Sequence, residues 1–196
     1  MVWFLLIAYV LFTFGVSYLN AWGVGRNWTE TRIAGGWPRI VNGAGAIMAA
    51  CGFTWVYFII FAFIFGAFGV FTVSEVQAFL EAGYLLILLP ILGSGLIITV
   101  ESWARAWKER DLPNLAVAAW NTYAQIHNTY NAISGFGDAF GHLGDVLASM
   151  AKGKDGAKVF AFILLVLFTV GLGIMTTALI IWKEASNDPL RERASA

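Results

Sequence analysis

Four long apolar runs without a single charged side chain divide the sequence: Met1–Gly25, Ile40–Ser74, Ala82–Val100 and Val159–Trp182. A run of about 18 or more apolar residues reads as a spanning helix, because in lipid only a helix satisfies its own backbone hydrogen bonds. The pattern predicts an all-α integral membrane protein with four transmembrane helices, over residues 2–22, 43–71, 82–104 and 159–182. A long amphipathic helix over 112–151 connects the third and fourth on the cytoplasmic side, and a short polar tail follows at 183–196. With no room for a soluble catalytic domain, the chain reads as one membrane domain.

The connection is the most distinctive stretch after the spans. Asp111 suits a helix cap and Pro113 suits the first turn. Apolar residues then recur at Tyr123, Ile126, Tyr130, Ile133, Phe136, Phe140, Leu143, Leu147 and Met150, in steps of three and four close to a heptad repeat. The opposite face carries Asn121, Gln125, Asn128, Asn131 and Ser134, and only Asp138 and Asp145 are charged. A helix lying on anionic lipid normally shows a basic face, which is missing here. Gly135, Gly137, Gly141 and Gly144 each cost about 1 kcal/mol relative to alanine inside a helix. Packing against another helix offsets that cost, or the segment breaks near Gly135–Gly137 into a hairpin. Phe136-Gly137-Asp138 recurs as Leu143-Gly144-Asp145, and Gly137 with Gly141 has small-xxx-small spacing. Together these predict a helix–helix interface between copies of the protein, with packing inside one chain as the rival.

The spans carry three further features. The second run is too long for a simple crossing, at about 52 Å as a straight helix. Its start, around Gly43 and Gly45, is poor in bulk and predicts close helix packing near the cytoplasmic face, while its later part is dense in phenylalanine. Pro90, Gly93, Ser94 and Gly95 interrupt the third run. They suit either a broken helix lining a site or a kinked packing helix, and the kinked helix is the simpler reading. Gly171, Gly173, Thr176 and Thr177 give the fourth run one close-packing face.

Composition agrees with this picture. Apolar residues make up 59% of the chain and charged residues 12%, about half the soluble average of roughly 25%. Lys plus Arg and Asp plus Glu are 12 each, so no net charge argues for nucleic acid. Cys51 is the only cysteine, which rules out an intramolecular disulfide and a thiolate zinc site. Met1–Leu19 lacks the basic start of a signal peptide, so the first helix is expected to be retained.

Charge also predicts an orientation. Arg26, Arg32 and Arg39 flank the first connection, and Arg105, Lys108, Arg110, Lys152, Lys154 and Lys158 flank the third. The positive-inside rule then puts both basic loops in the cytoplasm and both termini outside, in a bacterial-type cytoplasmic (inner) membrane. Trp3, Tyr84 and Trp182 mark the outer ends in this map, and Trp22, Trp37 and Trp103 the inner ends. The Asn27-Trp28-Thr29 sequon falls on its cytoplasmic side and reads as chance.

Candidate chemistry is thin. No ionisable residue lies mid-span, which argues against a pump, a proton-coupled transporter or an intramembrane protease. Glu101 is expected to pair with Arg105 one helical turn away. His142 with Asp138 and Asp145 offers at most a partial metal site on one helix face, and His127 reads as structural. No catalytic residues, metal site or cofactor are predicted. The expected function is a non-enzymatic homo-oligomeric assembly enclosing a weakly selective pore. The alternative is a scaffold or anchor subunit of a larger membrane complex. A carrier or membrane enzyme using Thr54, Ser94 and Thr99 is a distant third. The expected partners are the lipid bilayer, further copies of the chain, and other membrane subunits.

Overall fold

The charge-free runs fold as helices that overshoot the runs themselves. The computed structural model describes residues 2–153 and 155–187. Among these the helices are α1 (Val2–Arg26), α2 (Trp28–Ala34), α3 (Gly36–Ala67), α4 (Val73–Glu109), α5 (Leu112–Lys152) and α6 (Gly156–Ser186). Four of them, α1, α3, α4 and α6, are long and apolar enough to cross a membrane. The predicted tail lies mostly outside the described residues, and Lys154 is outside them too.

Capping explains where the overshoot starts. A window counted from the sequence stops at Glu81, yet α4 begins at Val73. Thr72 and Glu75 form a reciprocal cap: the Thr72 N–H donates to Glu75 Oε2 at 2.7 Å, and the Glu75 N–H donates to Thr72 Oγ1 at 3.3 Å. Two donors that the helix cannot use are thereby satisfied. α3 likewise starts at Gly36, just after a corner where Gly35 and Gly36 adopt positive φ of 64° and 51°. Glycine takes that conformation without a Cβ penalty. The short helix α2, which the hydropathy pattern did not predict, fills the corner.

α3 is the central helix. Half of its most apolar stretch is buried inside the molecule, against 11% for α1, 22% for α4 and 17% for α6. Trp55, Phe58, Ile59 and Ala62 of α3 form a core with Phe71, with Val76 and Phe79 of α4, with Met150 of α5 and with Leu165 of α6. Phe79 stacks on Phe162 with ring centroids 4.2 Å apart. The outward sides of α1 and α6 remain apolar, with Phe4 73% and Leu167 65% exposed. That exterior suits lipid rather than water.

The path of α5 departs from expectation. Only Arg110 and Asp111 separate α4 from α5. Arg110 takes a left-handed conformation, and the Asp111 carboxylate caps α5 by accepting the Asn114 N–H at 2.8 Å. So short a link between helices makes them antiparallel neighbours. The contacts follow in register: Trp103 with Thr122, Leu92 with Gln125, Tyr84 with Asn131, and Glu81 with His142. α5 stays unbroken through Gly135–Gly137 and runs about 61 Å at 1.5 Å per residue.

This path sets where the basic residues lie along the bundle. Lys158, at the start of α6, donates to Glu75 at the start of α4 over 3.0 Å. The connection therefore does not sit on one side of the bundle but returns along its whole length. Arg26, Arg32, Arg39, Arg105, Lys108, Arg110 and Lys183 gather at one end, while Lys152 and Lys158 lie at the other. The start of α1 and the end of α6 are likewise at opposite ends of the bundle. Trp182 lines a groove with Trp28 instead of joining Trp3, and Tyr84 packs on Trp55 inside the bundle.

The apolar stripe of α5 winds around the helix. From Tyr123 to Met150 it advances 27 residues in eight steps, about 3.4 residues each, short of the 3.6 of an α-helix. The deficit turns the stripe roughly half-way round. Tyr123, Ile126, Tyr130 and Ile133 consequently face outward, with exposures from 59% to 79%, while Leu143, Leu147 and Met150 pack into the core.

Close packing yields a prediction with two signs. A Cβ on Gly173 would fall 2.7 Å from the Thr54 backbone nitrogen and 2.8 Å from the Ala50 carbonyl oxygen, whereas Gly171 has open space. Gly173→Ala is expected to destabilise the fold by about 1–3 kcal/mol. Gly171→Ala is expected to stabilise it by up to about 1 kcal/mol through helix propensity. Denaturant unfolding in detergent micelles measures both.

Candidate functional site

The residues singled out on α4 do not break it. α4 runs helically through Pro90, which has no N–H for the carbonyl of Leu86. Ser94 Oγ donates to the Pro90 carbonyl at 2.7 Å, and Thr99 Oγ1 donates to the Gly95 carbonyl at 2.8 Å. Ser94 and Gly95 are buried, while Pro90 and Gly93 are exposed. Gly95 lies under the side chain of Gln125 from α5, and Gln125 Nε2 donates to the Leu92 carbonyl at 3.0 Å. The small residues of α4 are thus where an amide of α5 docks.

Beside Pro90 lies a cavity of about 470 Å³ between α3, α4 and α6, with Leu143 of α5 at its wall. Cys51, Thr54, Gly83, Pro90, Phe162 and Thr169 are among its lining residues. The Thr169 hydroxyl is spent on the Leu165 carbonyl at 2.8 Å. An almost wholly apolar crevice of this size suits a hydrocarbon chain and offers no acid, base or activated nucleophile. The carrier reading needed Thr54, Ser94 and Thr99 around one polar pocket. Thr54 lines this cavity, whereas Ser94 and Thr99 hydrogen-bond elsewhere.

A second constellation escaped the sequence. Trp55 Nε1 donates to the Tyr9 hydroxyl at 2.9 Å, and the Trp55 ring lies 5.5 Å from that of Tyr84. Asn131 Nδ2 donates to the Tyr84 hydroxyl at 3.3 Å and also contacts His127 Nε2 at 3.0 Å. This chain of polar heads ties α1, α3, α4 and α5 together inside an apolar bundle. Its members are tens of residues apart, so no local spacing announces it. The only signal was polar-headed aromatics inside charge-free runs, at Tyr9, Trp55 and Tyr84.

The predicted glycines divide into two groups. Gly45 packs on α1, where a Cβ would meet Val24 at 3.0 Å, and one heptad on Gly52 meets Ser17 of α1. Gly43 faces open space, as do Gly137, Gly141 and Gly144 on α5. The close partner of the small-residue part of α3 therefore belongs to the same chain. The α5 glycines have no partner among the described residues.

Glu101 and His142 each find a partner. Glu101 accepts from Arg105 Nε at 2.8 Å and from Trp37 Nε1 at 2.7 Å. His142 meets Glu81 of α4 at 3.1 Å instead of gathering Asp138 and Asp145. Among the described residues no His, Cys, Asp and Glu group is arranged to hold a metal ion. Comparison with protein-family models, curated proteins and solved structures finds no match.

Proposed function

We propose that the chain is a non-catalytic structural protein of a membrane, a bundle of five crossing helices that associates with copies of itself through the outward face of α5. The carrying observation is how α5 is turned. Asn121, Thr122, Gln125, Asn128 and Asn131 are half-buried on the side of α4, while Tyr123, Ile126, Tyr130 and Ile133 face out. A helix with polar groups inside and apolar groups outside is suited to lipid, where unpaired amides are costly and apolar side chains are not. This reading counts α5 as a fifth crossing beside the four apolar helices.

The outward face also carries a seam. From Ala116 to Ala151, every residue at alternating four- and three-residue steps is exposed. Its first half holds Trp120, Tyr123, His127 and Tyr130, and its second half is small: Ser134, Gly137, Gly141, Gly144 and Ala148. Small residues at this spacing let helices from two copies approach closely. The pore reading relied on the amides of α5 lining a passage. Two of those amides, Gln125 and Asn131, are engaged with α4, so the support moves to the scaffold. An anchor for other membrane subunits would use the same face, and stable co-purification of a different polypeptide would favour it.

The basic end of the bundle is assigned to the cytoplasm by the positive-inside rule. In a Cys51→Ala background, Arg32→Cys and Lys158→Cys are expected to label from opposite faces of intact vesicles; labelling from one face would refute five crossings. Replacing Gly137 and Gly144 together by Leu is expected to reduce the mass measured by light scattering in detergent to that of one chain, with helicity retained. An unchanged mass would remove the α5 interface. Reconstituted protein is expected to pass ions only at the background rate of protein-free vesicles, and a clear flux would restore the pore.

A further inference from the structure

The corner that α2 makes at the basic end has two unlike sides. On one side, the cavity lined by Trp37, Glu101, Arg105 and Lys108 carries charges of both signs, and Glu101 pairs with Arg105. On the other, a cavity of about 360 Å³ is lined by Val24, Trp28, Arg32, Arg39, Asn42 and Gly43, with no acidic side chain. Among the described residues neither Arg32 nor Arg39 has an ion-pair partner. Arg26 is engaged elsewhere, 4.8 Å over the Trp22 ring. Asn42 is anchored by donating to the Val24 carbonyl at 3.2 Å, which fixes that wall.

Trp28 and Arg32 also line a larger groove of about 730 Å³, which α2 shares with α6 at Ala178, Ile181 and Trp182. Arg32, which shares the smaller cavity with Arg39, therefore also opens onto an apolar trough rimmed by two tryptophans. Guanidinium forks match phosphate oxygens in geometry and charge. Tryptophan favours the headgroup level, and the inner leaflet is the one enriched in anionic lipid.

We infer that this corner is a seat for one anionic phospholipid, its phosphate held between Arg32 and Arg39 and one acyl chain lying in the groove between α2 and α6. Free phosphate shares the headgroup chemistry but has nothing to fill the groove. The inference rests on the membrane reading above. A protein that labels from both faces of a vesicle, yet does not discriminate between lipids, loses this inference alone.

The test is native mass spectrometry of the detergent-solubilised protein with phosphatidylglycerol, phosphatidylcholine or inorganic phosphate added. Phosphatidylglycerol is expected to bind more tightly than phosphatidylcholine. In Arg32→Gln/Arg39→Gln its affinity is expected to fall by about 30-fold, from roughly fivefold per basic residue near a membrane surface. Phosphatidylcholine binding should not change. Gly43→Leu keeps both arginines and adds bulk where Gly43 has open space in the cavity wall, so it should also weaken phosphatidylglycerol; this variant carries the test if the double variant misfolds. Equal affinity for the two lipids, an unchanged affinity in either variant, or displacement of phosphatidylglycerol by excess inorganic phosphate would each overturn the inference.

Discussion

The two-residue turn at Arg110–Asp111 governs the rest of the architecture. With α4 ended by a left-handed residue and α5 capped at once by Asp111, the second helix has no direction open to it except back along the first. Gln125 and Asn131 of α5 then meet α4 at the Leu92 carbonyl and the Tyr84 hydroxyl. The consequence is topological as well as local, because α6 must begin where α4 began. Lys158 closes that end of the bundle on Glu75, and Met150 enters the same core as Phe71 and Phe79.

How much of this was legible follows from which signals are local. The four apolar helices stand out because lipid-compatible length and the absence of charge are properties of a single stretch. The Glu101–Arg105 pair and the Asp111 cap are equally local, and both are present. The direction of α5 was not legible in the same way. Hydropathy scores a helix by its average, and α5 averages to something between a loop and a span. What decides its place is which of its faces meets α4, and that depends on Leu92, Tyr84 and Glu81, residues read separately. The wound stripe compounded the difficulty. Judged as one face, Tyr123 to Met150 suggested a single apolar surface, whereas its short step sends its two halves to opposite sides.

The candidate sites show the same division. Gly95 and Ser94 were found because their composition is unusual, but a helix interruption and a docking platform look alike in sequence. Only the position of Gln125 separates them. The Tyr9, Trp55, Tyr84 and Asn131 chain was invisible for the opposite reason: each member is ordinary alone, and its meaning lies in partners drawn from four helices. In a low-dielectric interior such a chain fixes helix rotation, since a donor turned away from its acceptor is left unpaired at a cost of about 1–3 kcal/mol.

The inward-facing amides of α5 also bear on how the protein is made. A segment rich in Asn, Gln and Thr gains little by entering hydrocarbon alone, because its amides would arrive without acceptors. α4 supplies those acceptors, at the Leu92 carbonyl and the Tyr84 hydroxyl, and it leaves the ribosome first. In the proposed five-crossing arrangement α4 therefore offers these acceptors to α5 as the later segment enters the hydrocarbon. On that arrangement, insertion of α5 and its packing on α4 are coupled.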